Sequence, residues 1–457
     1  MRAMYDSKTK TMNDYGVRPL LQQDYKYATW LEVESALAKA QGTMGIIPES
    51  AAKTIGLVTL DDIDLEEMEV LKERVGHGFM PFIKMLVKAC DEEGGKYVHY
   101  GVTTQNIQQT SQMLIGKRVH ERFLMVLSDM LLNLADLAEA HHDTVMPGRT
   151  HGRHAIPITF GYKVSVWIDD VLTAIERLEQ AAARAFQVMM GGAVGSFNAM
   201  GDEGRRVQTL VAEDLNMGSM AVPSRNITSH KTDYIMALAL LAGTCHKIAE
   251  EVYTTSIEEI GEIEEGFAEG TIGSSTMPHK RNPKLSKGII ANSLKLYTLP
   301  SLCLQAASRP YEADSSQYMV FDAAWDEAIE LSTEVFLRAE ELTRQLVVHD
   351  EKMNENANVN RGLDNSEFIM MKLAEKIGKD QAHSFIYEKA MAAQTTGLSY
   401  IDILKQDQEL KKYFHEEEIR QMLAPETYTG CGSQIAKEQA SKAREVGNQL
   451  KGRESHV

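Results

Sequence analysis

Apolar residues recur at helical spacing along most of the chain. Leu127, Leu131, Leu134 and Leu137 or Ala138 form one stripe, and Ile168, Val171, Ile175 and Leu178 another, with Arg177 and Glu179 outward. Both predict amphipathic helices that lay one face on a core. The run from Ile235 to Ile263 differs: Leu238, Leu241, Cys245, Ile248, Val252, Ile257 and Ile260 fall on more than one face. A helix apolar on several sides needs several neighbours, as at the centre of a bundle or an oligomer. Nearer the start, Tyr25 to Met44 carries a helical stripe ending at Gly45. Asp61 to Leu71 is acidic, which suits a helix start. Gly94-Gly95 is expected to break the next helix before a polar turn at His99-Tyr100-Gly101. Asn354 to Asn360 reads as a turn into a last helical part, and the tail KGRESHV as a frayed end. Proline is absent between Pro157 and Pro223 and again between Pro310 and Pro425, and helix formers fill both gaps. Alternation of β-branched and aromatic residues is scarce, so the fold class is all-α.

The 457 residues suffice for two or three domains and a large core. The formal net charge of -17 argues against nucleic acid or an anionic membrane surface as the main partner, because phosphate demands a basic face. A small anionic substrate needs only a local positive pocket and stays open. Cys90, Cys245, Cys303 and Cys431 are far apart, with no CxxC and no histidine at ligand spacing. They read as reduced, mostly buried thiols of a cytosolic protein, with no metal site. The N-terminal MRAMYDSKTKTMNDYG lacks the apolar core of a secretory signal, and no apolar run reaches membrane-spanning length.

Four polar clusters interrupt the helices. Gly273-Ser274-Ser275-Thr276-Met277-Pro278-His279-Lys280-Arg281-Asn282-Pro283 joins a flexible start to adjacent hydroxyls and a cationic, amide-bearing end, which suits a loop closing over a small anion. Gly148-Arg149-Thr150-His151-Gly152-Arg153-His154 gathers two arginines and two histidines between Pro147 and Pro157, a turn between two long helices. Histidine there can give or take a proton near neutrality. His99 to Asn106 places Thr103 and Thr104 before a helix expected from about Ile107, where either hydroxyl could cap and the helix end could receive a carboxylate. His77, in Val75-Gly76-His77-Gly78, is a lone histidine of either structural or substrate-contacting use.

The first of these loops matches every fixed position of G-S-S-x-M-P-x-K-x-N. It resembles the signature of the fumarase/aspartase superfamily, in the branch of adenylosuccinate lyase and 3-carboxy-cis,cis-muconate cycloisomerase. The GRTHG and HYGVTT stretches resemble further elements of that branch, as does Gly191 to Ser196. The resemblance implies three helical domains: 1–104, a central long-helix bundle 105–353 bearing the loop 273–283, and 354–457. The central domain is then expected to form the core of a homotetramer, with each active site drawing the Thr103 region, the His151 region and the Ser274 loop from different subunits. No metal or organic cofactor is implied. By the same resemblance Ser274 is the base, with Ser275 as second choice, and His151 protonates the leaving group. His77, Thr103, Thr104, Arg149, Ser275, Met277, Lys280 and Asn282 are expected to bind substrate.

The implied chemistry is anti β-elimination of fumarate from a succinyl substrate, an N-substituted aspartate of the adenylosuccinate kind. A weakly acidic C–H is broken next to a carboxylate, so the developing dianion needs preorganised donors. The alternatives are a cycloisomerase that closes a lactone, or a lyase for a non-nucleotide N-substituted aspartate. The presence of His151 favours the lyases. The stretch Ser224 to Tyr234 departs from the run that adenylosuccinate lyases carry before Asp-Tyr, although Arg225, His230 and Lys231, with Arg149 and Arg153, remain cationic candidates for a phosphate. Gly362-Leu363, Ala382-His383 and Gly397-Leu398 look more like the cycloisomerases.

Overall fold

The computed structural model describes residues 12–267, 270 and 273–452. The expected frayed tail therefore lies outside the described residues beyond Gly452, whereas Lys451 and Gly452 still belong to a helix. The helices that position the clusters are α1 (Gln23–Thr43), α2 (Met80–Ala89) and α3 (Thr104–Ala140). A hairpin follows, β1 (Val145–Thr150) and β2 (Arg153–Thr159), then α4 (Phe160–Ala185), β3 (Gln187–Val188), β4 (Gly218–Ser219) and α5 (Ser229–Thr255). Beyond them come β5 (Ile263–Glu264), α6 (Lys284–Leu296), α7 (Ser315–Arg344), β6 (Val347–Val348), α8 (Asp350–Ala357) and α9 (Gly432–Gly452). The strands form three separate two-stranded pairs, β1–β2, β3–β4 and β5–β6, so the fold is all-α as expected. No described helix is long and apolar enough to cross a membrane.

The chain divides into two compact units. One takes the residues up to Val126 with Ala174–Gly243 and Ala291–Leu337; the other takes Leu127–Thr173, Thr244–Ile290 and the residues from Arg338 on. In the first unit, Trp30 of α1 packs edge-on against Phe79 at 4.8 Å and Phe82 at 5.2 Å, the centre of a core shared with α2. The acidic start expected near Asp61 is real: the Asp64 carboxylate accepts the N–H of Glu67 at 2.8 Å and caps the helix Leu65–Val75. Further along α3, Gly116 leaves room for the buried Trp325, whose ring would lie 2.8 Å from a Cβ there. In the second unit, the predicted stripe Leu127, Leu131, Leu134 and Ala138 is wholly buried.

Several local expectations are corrected. Gly94 and Gly95 do not break a helix; they lie inside the short helix Glu92–Gly95, capped by Asp91. Helix α5 stops at Thr255, so Ile257 and Ile260 sit in the turn beyond it. The Asn-rich turn begins only after Ala357, because Asn354 and Asn356 belong to α8. Of the four thiols, Cys245 and Cys303 are buried, Cys90 is half-buried and Cys431 is exposed. Leu134→Ala removes a side chain with no exposed surface and should cost about 2–5 kcal/mol. A thermal melt of the purified variant checks it; an unchanged midpoint would contradict the packing described.

Candidate active site

His151 is carried at the tip of a β-hairpin, not in a plain turn. Pro147 faces Pro157 across the pair, and the register shifts by a bulge between Pro147 and Arg149. Gly148 fills that bulge because a Cβ there would meet the main-chain oxygen of Ile156 at 2.5 Å. The tip residues His151 and Gly152 both have positive φ, 53° and 71°, the backbone of the tight two-residue hairpin turn. The imidazole of His151 is exposed there and has no hydrogen-bond or ion-pair partner among the described residues.

The hairpin is pinned by a carboxylate that sequence reasoning missed. Glu262, with no exposed side-chain surface, takes both arms of the Arg149 guanidinium, Nη1 to Oε2 at 2.8 Å and Nη2 to Oε1 at 2.5 Å. Asn356 of α8 donates to Oε1 of the same carboxylate at 2.8 Å and to the carbonyl of Ile260 at 2.9 Å. The carbonyl of Glu262 in turn accepts the N–H of His349 at 2.9 Å. Arg149, expected at the substrate, thus spends its fork on holding β1 to β5 and α8. His154 approaches Asp364 at 3.7 Å, and burial raises the Asp364 acid while Asn360 and His154 pull it back.

The loop bearing Ser274 starts three residues after Glu262. Glu265 is its other buried anchor: Oε2 accepts the N–H of Leu285 at 2.9 Å and Oε1 that of Ser286 at 2.6 Å. A carboxylate on the open N–H groups of a helix start is favoured by hydrogen bonding and by the helix dipole. Glu265 therefore clamps the first residue of the loop to the first turn of α6. Inside the loop, Asn282 donates to the carbonyl of Gly273 at 2.8 Å. Gly273 runs so close to the carbonyl of Lys280 that a Cβ would lie 2.1 Å from its oxygen. The outcome is a closed ring in which the Ser274 hydroxyl oxygen accepts the N–H groups of Met277 at 3.1 Å and Thr276 at 3.3 Å. Ser275, Met277 and Lys280 are exposed on this ring, and Ser274 and Asn282 are half-buried.

The remaining expected residues belong to the other unit. Helix α3 starts at Thr104, three residues earlier than expected. Its start is closed by Asn106, whose side-chain oxygen accepts the N–H of Thr103 at 3.0 Å and of Gly192 at 3.1 Å. One amide thus ties the helix start to the glycine-rich turn at Gly191, and Thr103 and Thr104 stay half-exposed. His99 meets the buried Glu34 at 2.6 Å. His77 Nδ1 accepts the N–H groups of Phe79 and Met80, both at 3.1 Å, so this ring shapes the entry to α2 and turns Nε2 outward. His230 is not a cationic candidate: burial, with the neighbouring Lys231 charge, pushes it down to about 4.

The Ser274 hydroxyl oxygen thus meets two main-chain donors and the His151 imidazole is unengaged among the described residues, both on a helical scaffold. A family profile described as lyase matches residues 10–294, and a second, described as adenylosuccinate lyase C-terminus, matches residues 362–439. The chain is 35% identical to an N-acetyl-S-(2-succino)cysteine lyase of Enterococcus italicus over 92% of its own length and 92% of that protein. It is 34% identical to an adenylosuccinate lyase of Methanocaldococcus jannaschii, again covering 92% of each. The solved β-carboxy-cis,cis-muconate cycloisomerase of Acinetobacter calcoaceticus superposes with a TM-score of 0.86 at 25% identity, over 95% of this chain and 99% of that one. The chain belongs to the fumarase/aspartase superfamily, in the branch of these enzymes.

Glu262→Ala should leave Arg149 as a half-buried, unpaired charge, a loss on the order of 2 kcal/mol. The expected outcome is a lower melting point together with lower turnover, as the hairpin loses its anchor. Glu262→Gln keeps an acceptor for both Arg149 and Asn356 and should fall between. A Glu262→Ala melt equal to wild type would remove the anchor role.

Proposed function

We propose that the protein is a fumarate-releasing lyase acting on a succinyl group joined through a heteroatom to a small leaving group, of the adenylosuccinate or S-succinocysteine kind. The observation that carries the reading is the Ser274 hydroxyl held by the N–H groups of Met277 and Thr276. A serine is a base only where its alkoxide is stabilised, and two main-chain donors with Lys280 in the same loop supply that stabilisation. Ser274 removes the proton from the carbon beside one carboxylate. The electron pair spreads onto that carboxylate, which Lys280, Asn282 and the α3 start with Thr103 and Thr104 are suited to hold. His151 returns a proton to the departing nitrogen or sulfur, and fumarate remains. Proton removal and return from opposite faces give anti elimination. His77 and Met277 are assigned to substrate contact. Arg149 acts through the hairpin it holds. The free imidazole at the hairpin tip favours this reading over lactone closure.

A homotetramer is part of the proposal. Around α5, α6 and α7, Met236, Leu240, Leu294, Leu304 and Met319 keep 37–69% of their surface exposed in the single chain. Exposed apolar patches of that extent mark association surfaces. The Thr103, His151 and Ser274 regions of different subunits then share each site.

Ser274→Ala and His151→Ala should each lower turnover by about 10²- to 10⁴-fold with melting unchanged. Fumarate absorbance at saturating substrate measures it. Near wild-type turnover in either variant removes that assignment. Light scattering at micromolar concentration should give four times the chain mass; the mass of one chain would end the shared-site proposal.

A further inference from the structure

We infer that the first unit carries a subsite for a carboxylate on the leaving group, built from Lys231, Arg309 and Arg225. The inference rests on the fumarate-releasing reading and names the class of its leaving group. It starts from a side chain that no other role explains. Lys231, in the first turn of α5, is 0% exposed, and its Nζ has no hydrogen-bond partner. The Phe321 ring lies 4.6 Å from Nζ to centroid, and Asp322, Arg309 and Cys303 are close enough to act on its charge. An ammonium without water or acceptor is among the costliest groups to bury, and an apolar residue of similar length would be cheaper.

The groups around it are short of partners in the same way. Arg309 lies 5.7 Å from the ring centroids of both Tyr318 and Phe321. It donates Nη1 to the carbonyl of Arg225 at 2.7 Å and Nε to that of Ala306 at 3.2 Å, while Nη2 is buried and unpartnered. Arg225 points Nη2 at the carbonyl of Ala313 at 3.5 Å and leaves Nε unpartnered. Thr228 Oγ1 and one oxygen of Asp322 are likewise unpaired. Tyr318 is in hydrogen-bonding reach of Asp322 and of Gln105, next to Thr104 at the α3 start. The cluster therefore adjoins the helix end proposed to take a succinyl carboxylate.

Charge and donor geometry select the ligand. Burial lowers Lys231 only to about 8, with Asp322 pulling the other way, so the ammonium is charged near neutrality. Lys231 and Arg309 face Asp322, with Arg225 beside Arg309 and Lys26 near both Asp322 and the neighbouring Asp326; burial pushes both acids upward and the Cys303 thiol beside Lys231 up to about 11, and His230 is neutral. The surplus positive charge calls for an anion. Arg309 has given Nε and Nη1 to main-chain carbonyls and keeps Nη2, while Arg225 keeps Nε beside one long contact from Nη2. What remains is one ammonium and single N–H donors from two arginines. That set can meet the two oxygens of a carboxylate, and the adenylosuccinate arm of the test sets a phosphate against it. The leaving group of this class is a small amine or thiol bearing a carboxylate, such as an N-acylated amino acid.

The test uses the full-length oligomer and three substrates: N-acetyl-S-(2-succino)cysteine, the same compound with the cysteine carboxylate replaced by a carboxamide, and adenylosuccinate. Wild type should release fumarate from the acid with kcat/KM at least about 30-fold above that for the amide. Lys231→Met should bring this ratio towards one, with melting unchanged or higher because a buried charge is gone. Arg225→Gln, at a half-exposed position, gives the same readout should Lys231→Met not fold. KM for the acid should rise as pH passes about 8, where Lys231 loses its proton, and KM for the amide should not. Calorimetry with N-acetylcysteine provides a readout independent of turnover: binding in wild type, lost in Lys231→Met. Equal use of acid and amide with fumarate released overturns the subsite and leaves the lyase reading standing. Preference for adenylosuccinate that depends on Lys231 overturns it in favour of a phosphate. No fumarate from any substrate, with N-acetylcysteine binding that needs Lys231, ends the lyase reading and keeps the subsite. Absence of that binding ends the subsite.

Discussion

Two buried carboxylates, Glu262 and Glu265, flank the strand Ile263–Glu264, and the reactive loops of the second unit hang from them. Glu262 takes the Arg149 fork and the Asn356 amide; Glu265 takes the first N–H groups of α6. A buried carboxylate is tolerated only when its oxygens are filled by charged or main-chain donors. Each therefore fixes several segments at once: the histidine-tipped hairpin, α8, and both ends of the Ser274 loop. Gly266 continues the constraint, since a Cβ there would lie 2.5 Å from the carbonyl of Gln345. Three residues of separation thus couple the mount of the His151 hairpin to that of the Ser274 loop.

The same economy recurs at helix starts. Asn106 closes α3 and also holds Gly192, Asp64 and Asp91 cap their helices, and His77 accepts two N–H groups ahead of α2. Each open helix end in water would be satisfied cheaply by solvent. Inside a protein it must be met by a side chain, or kept for a ligand. The α3 start combines both uses: Asn106 meets the main chain, and the Thr103 and Thr104 hydroxyls stay available. The neighbouring cluster at Lys231 takes the second course further, because its donors are buried and unmet.

The relatives named above include two lyases whose names give different succinyl compounds, and a cycloisomerase. In the proposed reaction the Ser274 loop and the hairpin tip deal with the succinyl group and the transferred proton. Arg225 and Lys231 come from the stretch Ser224 to Tyr234, where this chain departs from the adenylosuccinate lyase pattern. Reaction and specificity are thereby carried by different segments, so the leaving group can change without disturbing the proton chemistry.

The helical class and the two principal stripes were legible in the sequence, because the 3.6-residue period is a local property that burial then fills. So were the three reactive loops, whose residue order is distinctive. The hairpin was not: Pro147 and Pro157 remove ladder donors, and only its tip pairing of His151 with Gly152 is a strand signal. Glu262 and Glu265 stood in an acidic run that reads as solvated surface, and only the folded chain brings Arg149, Asn356 and the α6 start to them. The arginine's role changed for the same reason. Lys231 was visible as a charge, but its burial beside Arg309 and Phe321 depends on segments more than 70 residues away in sequence. Local periodicity and motif order gave the class and the candidate loops; contacts between distant segments decided which charges are anchors and which stay unpaired.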